Sequence, residues 1–154
     1  MKGDDLEAVV AAARLARTRA YAPYSRYRVG AALLTRAGRV YTGCNVENAS
    51  YGATICAERS AIAAMVAAGD REPVACVVVT AGPKPGTPCG ICRQVLCEFA
   101  NDMKLVLVAE DARGRLTATD EARLAALLPL AFRLRKPETR ASRSEPHRPR
   151  RSTR

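Results

Sequence analysis

The sequence has no uninterrupted apolar run approaching the roughly 20 residues that a membrane-spanning helix needs, although 48% of its 154 residues are hydrophobic. A membrane span is therefore excluded. No charged n-region followed by an apolar h-region occurs near Met1, so the expected location is the cytoplasm. Internal repeats are also missing, which sets aside repeat architectures. A basic stripe on folded segments is missing too, despite a net charge of +10. Residues 135–154 carry eight Lys or Arg and two Glu, net +6, leaving only +4 for residues 1–134. A phosphate-binding face normally appears as clustered basic residues on regular elements, so nucleic acid is not an expected partner, weak contacts by the tail apart. From Pro137 onward almost nothing is apolar, and such a segment is expected to be disordered. The length suits one domain with a real core and is short for two. The expected organisation is a folded domain over 1–134 followed by a basic Pro/Arg/Ser-rich tail over 135–154.

Six cysteines are present. In a reducing compartment a Cys-x-x-Cys near another cysteine reads as a metal or redox site rather than a disulfide framework. Cys56-Ala57-Glu58-Arg59 is followed 33 residues after Cys56 by Cys89-Gly90-Ile91-Cys92, preceded by Pro88. Cys56, Cys89 and Cys92 supply three ligands to a tetrahedral zinc and leave the fourth position for water, which is the arrangement of a catalytic site. Glu58, two residues from a ligand, can reach that open position without coordinating the metal and carry protons there. Cys56 and Cys89 fall at expected helix starts, where free N–H groups and the macrodipole favour a thiolate. Three thiolates on a dication leave about −1. Arg59, one turn after Cys56, can donate to the sulfurs and offset that charge. The plain alternative for Arg59 is a solvated helix position. Cys44, Cys76 and Cys97 sit in apolar or strand-like contexts and read as buried free thiols.

Along the chain, Asp4–Arg19 reads as an amphipathic helix with Leu6, Val9, Val10 and Ala13 on one face, capped by Asp4 or Asp5. Tyr21-Ala22-Pro23-Tyr24-Ser25-Arg26-Tyr27 is a loop. Its tyrosines either pack the first helix onto a sheet or place a ring against a flat substrate. Val29–Thr35 and Val40–Asn45 flank Arg36-Ala37-Gly38-Arg39 and form a hairpin. Asn45 and Glu47 point to one side of an extended chain and can grip a diol, unless they do ordinary turn chemistry. A helix from Cys56 to near Gly69, a buried strand Val74–Thr80, a helix Pro88–Asn101 and a strand Leu105–Ala109 follow. A short strand Leu116–Thr119 comes next, with Asp120 capping a last helical turn through Leu124 and Leu127. Helices alternating with strands around an opening hairpin give a three-layer α/β/α fold with a mixed sheet of about five strands.

Cys-Ala-Glu followed at this distance by Pro-Cys-x-x-Cys resembles the zinc-dependent nucleoside and nucleobase deaminases. Beyond the cysteines, Tyr21–Ser25, Val29–Leu33, Gly43–Asn48, Pro88–Gln94 and Leu127–Phe132 look like the small homotetrameric cytidine deaminases, a likeness covering roughly residues 5–133. The resemblance implies one Zn2+ per chain on Cys56, Cys89 and Cys92, with Glu58 shuttling protons. It implies that cytidine or deoxycytidine becomes uridine or deoxyuridine with release of ammonia by a zinc-activated water, a step of pyrimidine salvage. It implies that Asn45 and Glu47 hold the sugar hydroxyl and that the backbone at Ala57 contacts the base. Tyr27 stands where the family usually has phenylalanine against the base, and Phe132 resembles the residue lent by a neighbouring subunit of a homotetramer. Deamination of another cytosine nucleoside, such as a nucleoside antibiotic, uses the same zinc machinery. From other classes, a nucleic-acid-binding module with structural zinc lacks its fourth ligand, and a redox Cys-x-x-Cys leaves Cys56 and Glu58 without a role.

Overall fold

The computed structural model describes residues 3–134. Helix α1 (Gly3–Thr18) leads through the tyrosine loop into strands β1 (Gly30–Thr35) and β2 (Val40–Cys44). A 3-10 turn (Tyr51–Ala53) precedes α2 (Ala57–Ala67), then β3 (Pro73–Ala81), α3 (Gly90–Phe99), β4 (Lys104–Glu110), β5 (Leu116–Arg123) and the single turn α4 (Leu124–Leu127).

The sheet order is β2-β1-β3-β4-β5. β1 runs antiparallel to both β2 and β3, β3 and β4 are parallel, and β5 returns antiparallel on the outer edge. The one parallel pair needs a crossover, and α3 supplies it.

Residue alternation on the central strands builds the three layers. Ala31, Leu33, Cys76, Val78, Leu105 and Leu107 face a core shared with Ala61, Ile62 and Met65 of α2, Leu96 of α3 and Leu124 of α4. Ala32, Val77, Val79, Val106 and Val108 face the opposite side, where Val9 and Ala13 of α1 cover them. β3 and β4 are apolar on both faces because helices lie on both. The mixed five-stranded α/β/α architecture is the one the sequence pattern implied.

Three local expectations need correction. β5 extends to Arg123, so Asp120 lies inside the strand opposite Leu107, and Arg123 precedes α4 without any side-chain cap. This edge strand is mostly exposed and needs no apolar alternation, so its sequence does not announce its length. Tyr21, Tyr24 and Tyr27 are 58%, 56% and 44% exposed and so do not wedge α1 onto the sheet. Cys76 and Cys97 are buried free thiols, but Cys44 is only half-buried. The caps at Asp4 and Asp5 and the disorder of 135–154 concern groups outside the described residues.

Gly43 on β2 lies against the first turns of α2. A β-carbon there would run into the backbone of Ala57 and Ala61, and helical backbone cannot swing aside. Gly43→Ala is expected to destabilise the fold by about 1–3 kcal/mol, as overpacking does. A lowered urea midpoint checks this; an unchanged midpoint contradicts the packing.

Candidate active site

The site is assembled where α2 and α3 begin, beside the carboxyl end of β3, the usual place for a ligand in an open α/β sheet. Val46 ties it together. It bridges Tyr21 on one side and Ile55 on the other, with Val46 N–H donating to the Ile55 carbonyl at 2.9 Å and Ile55 N–H returning the bond at 3.0 Å. Cys56 follows at once as the N-cap of α2, with extended backbone and its thiol unused for capping. Cys89 takes the same place before α3. Cys92 is one turn further and fully buried.

The Sγ atoms of Cys56 and Cys89 are 3.9 Å apart, and the three sulfurs all lie within 4.8 Å of one another. Two sulfurs on one tetrahedral zinc, with bonds of about 2.3 Å, stand about 3.8 Å apart. The donor set and its spacing therefore fit a single zinc ion. Arg59 donates through Nη2 to the Thr54 carbonyl at 2.7 Å and toward Cys56 Sγ at 3.9 Å. Among the described residues its buried Nε has no hydrogen-bond partner.

The Cys56 thiol is pulled down to about 5, first by a hydrogen bond from Cys92, against burial, and then by Arg59. Cys92 is pushed up by that same shared bond and by burial. Burial also raises the Glu58 carboxyl, with the Cys56 charge adding to it, while Glu58's own backbone N–H and the Cys92 thiol oppose the rise. Glu58 is 4% exposed on the first turn of α2, where desolvation disfavours the charged carboxylate and raises its proton affinity above that of a free carboxyl.

Tyr27, Val29, Asn45, Thr54, Cys56, Ala57, Glu58, Val78, Thr80, Gly86, Thr87 and Cys89 line one cavity of about 190 Å³. A neighbouring cavity of about 350 Å³ is lined by Tyr24, Ser25, Glu47, Asn48, Tyr51 and Thr54, so Thr54 belongs to both. Asn45 is buried: its Oδ1 accepts from Val29 N–H at 2.8 Å and its Nδ2 donates to the Tyr27 carbonyl at 2.8 Å. Glu47 accepts from Tyr24 N–H at 2.9 Å, Ser25 N–H at 3.2 Å and the Ser25 hydroxyl. The Ser25 hydroxyl is the chief reason its carboxyl lies below the usual range. Asn45 and Glu47 thus each clasp a different part of the tyrosine loop, in different cavities. Each keeps acceptor or donor capacity to spare.

Phe132 does not line its own chain's cavity. It is 69% exposed, and its carbonyl accepts from Gln94 Nε2 at 2.8 Å. One residue given no role from sequence proves central: Arg93 donates to the Pro88 carbonyl at 2.7 Å, the Leu127 carbonyl at 3.0 Å and Thr87 Oγ1 at 3.1 Å. It braces the segment that delivers Cys89. Val29, Thr54, Val78, Thr80, Gly86 and Thr87 were also not singled out, since small apolar and hydroxyl residues in strands and loops carry no chemical signature.

The family model described as the cytidine and deoxycytidylate deaminase zinc-binding region matches residues 4–109. The chain belongs to this deaminase family. It is 44% identical over 128 residues to the cytidine deaminase of Sporosarcina psychrophila, covering 83% of this chain and 91% of that one. The Mycobacterium tuberculosis cytidine deaminase is 45% identical over 115 residues, covering 75% and 80%. Among solved structures, the cytidine deaminase of Burkholderia pseudomallei superposes with a TM-score of 0.75 at 44% identity, covering 86% of this chain and 100% of that one. The family's zinc-binding character agrees with the three-thiol cluster. Among the described residues no helix is long and apolar enough to cross a membrane.

Proposed function

We propose that this deaminase-family chain converts cytidine and deoxycytidine, with one water, to uridine and deoxyuridine with release of ammonia, in the cytoplasm. The observation that carries this reading is the buried Glu58 placed beside three thiols that fit one zinc, in a cavity open to a small ligand. When bound, zinc supplies an activated water as nucleophile for carbon 4 of the pyrimidine. With zinc held by Cys56, Cys89 and Cys92, the Glu58 carboxyl would carry protons at its oxygen atoms, to N3 of the pyrimidine and then to the departing amine. Burial keeps its carboxyl able to hold the proton between those transfers. Arg59 offsets the negative charge of the three sulfurs through its contact with Cys56. The Tyr27 ring flanks the base and the Ala57 backbone contacts it, while Asn45 and Glu47 hold the sugar hydroxyls.

Phe132 completes the pocket of a neighbouring subunit in a homotetramer. Its exposure, with that of Leu130 at 93% and Ile91 at 62%, supports burial against other copies. Sedimentation with assay tests this: a fully active monomer removes Phe132 from the site.

Incubation with cytidine is expected to yield uridine and ammonia in equal amounts. The ionised Glu47 would repel a 5′ phosphate near the sugar. Cytidine is therefore expected to be used far better than its monophosphate, by kcat/KM; comparable values on both would overturn the placement of Glu47.

A further inference from the structure

Among the described glycines, Gly86 is the one whose added β-carbon would strike a tyrosine hydroxyl. That carbon would lie 2.7 Å from Tyr27 Oη and 3.0 Å from Thr80 Cγ2. The backbone does not require glycine here, because Gly86 is not among the glycines with positive φ. Space is the reason for it.

Thr80 fixes the position of this notch. It is 2% exposed, its Oγ1 accepts from Gly86 N–H at 2.9 Å, and its hydroxyl points to the Val108 carbonyl at 3.5 Å. Tyr27 is held from the other direction. Its N–H donates to Ser25 Oγ at 2.9 Å, and its carbonyl accepts from Asn45 Nδ2 at 2.8 Å. With its backbone clasped, the ring keeps only its own torsions, and the notch decides where its far end rests. Tyr27, Thr80 and Gly86 line the same cavity as Cys56, Glu58 and Cys89.

We propose that Gly86 and Thr80 are positioning residues for Tyr27: together they form a notch that seats the tyrosine hydroxyl and thereby fixes the ring as a wall of the nucleoside cavity. This rests on the deaminase reading above. A side chain at 86 displaces the ring from its place against the base, and the loss falls on substrate binding rather than on the zinc or on Glu58. Removing the hydroxyl reopens the space, so the two positions are coupled.

The test is a double-mutant cycle of Gly86→Ala and Tyr27→Phe, read by KM and kcat for cytidine, zinc content and melting temperature. Gly86→Ala in the wild-type background is expected to raise KM about tenfold, within the coupling range of touching residues, with kcat and zinc content little changed. In the Tyr27→Phe background the same change is expected to alter KM by less than about twofold. Equal effects in both backgrounds, or no effect in the wild type, overturn the proposal. If the wild-type protein leaves cytidine unreacted, the deaminase reading fails instead, and the melting temperatures judge the pair: non-additive shifts support the seat and additive ones overturn it.

Discussion

Replacing Glu58 with glutamine is expected to lower kcat for cytidine by about 10²- to 10⁴-fold, the range typical of a positioned general acid–base group. Glutamine matches the side chain in size, so the packing around this 4% exposed position survives and the three thiols remain free to hold zinc. The amide cannot take up or release the proton. In the proposed role the carboxyl acts in the transfers and not in holding the ground-state nucleoside, so KM should move far less than kcat. Steady-state kinetics with zinc analysis of the same sample checks this. A Glu58→Gln protein with near wild-type kcat would remove Glu58 from the proton path.

The second large effect is expected at Cys89. Its thiol lies at the exposed rim of the cluster, so Cys89→Ala removes one of the three proposed ligand thiols without opening a cavity in the core. The buried Cys92 offers no such separation, because its loss would cost packing as well. Dropping from three protein ligands to two should weaken zinc binding by more than the roughly 10- to 100-fold seen when an outer partner of a ligand is lost. The variant is expected to emerge from dialysis without zinc, to melt at the temperature of the zinc-stripped parent, and to show no measurable deamination. Full zinc retention by Cys89→Ala would exclude Cys89 as a ligand.

The parts legible in sequence are those whose chemistry or periodicity is local. The Cys-Ala-Glu and Pro-Cys-x-x-Cys segments announce their thiols, and two helix starts suffice to bring them together. The double apolar alternation of Cys76–Val79 and Leu105–Val108 announces a strand covered on both faces. What escaped depends on contacts far apart in sequence. Arg93 could be a solvated helix residue until Leu127 arrives beside it. Thr80 and Gly86 gain meaning only when the tyrosine loop is laid over them. That Asn45 and Glu47 also clasp the loop of residues 24–29 is invisible in the sequence, because their loop partners lie 16 to 23 residues away. The exposed edge strand β5 ran past Thr119 because hydrogen bonding to β4, not an apolar face, sets its length.

Absorbance loss on mixing the protein with cytidine, followed on untreated, zinc-stripped and zinc-restored samples, tests the zinc-dependent deaminase reading most directly. The change should appear in the first sample, vanish in the second and return in the third at one zinc per chain. A protein that holds one zinc per chain and leaves cytidine untouched would contradict it.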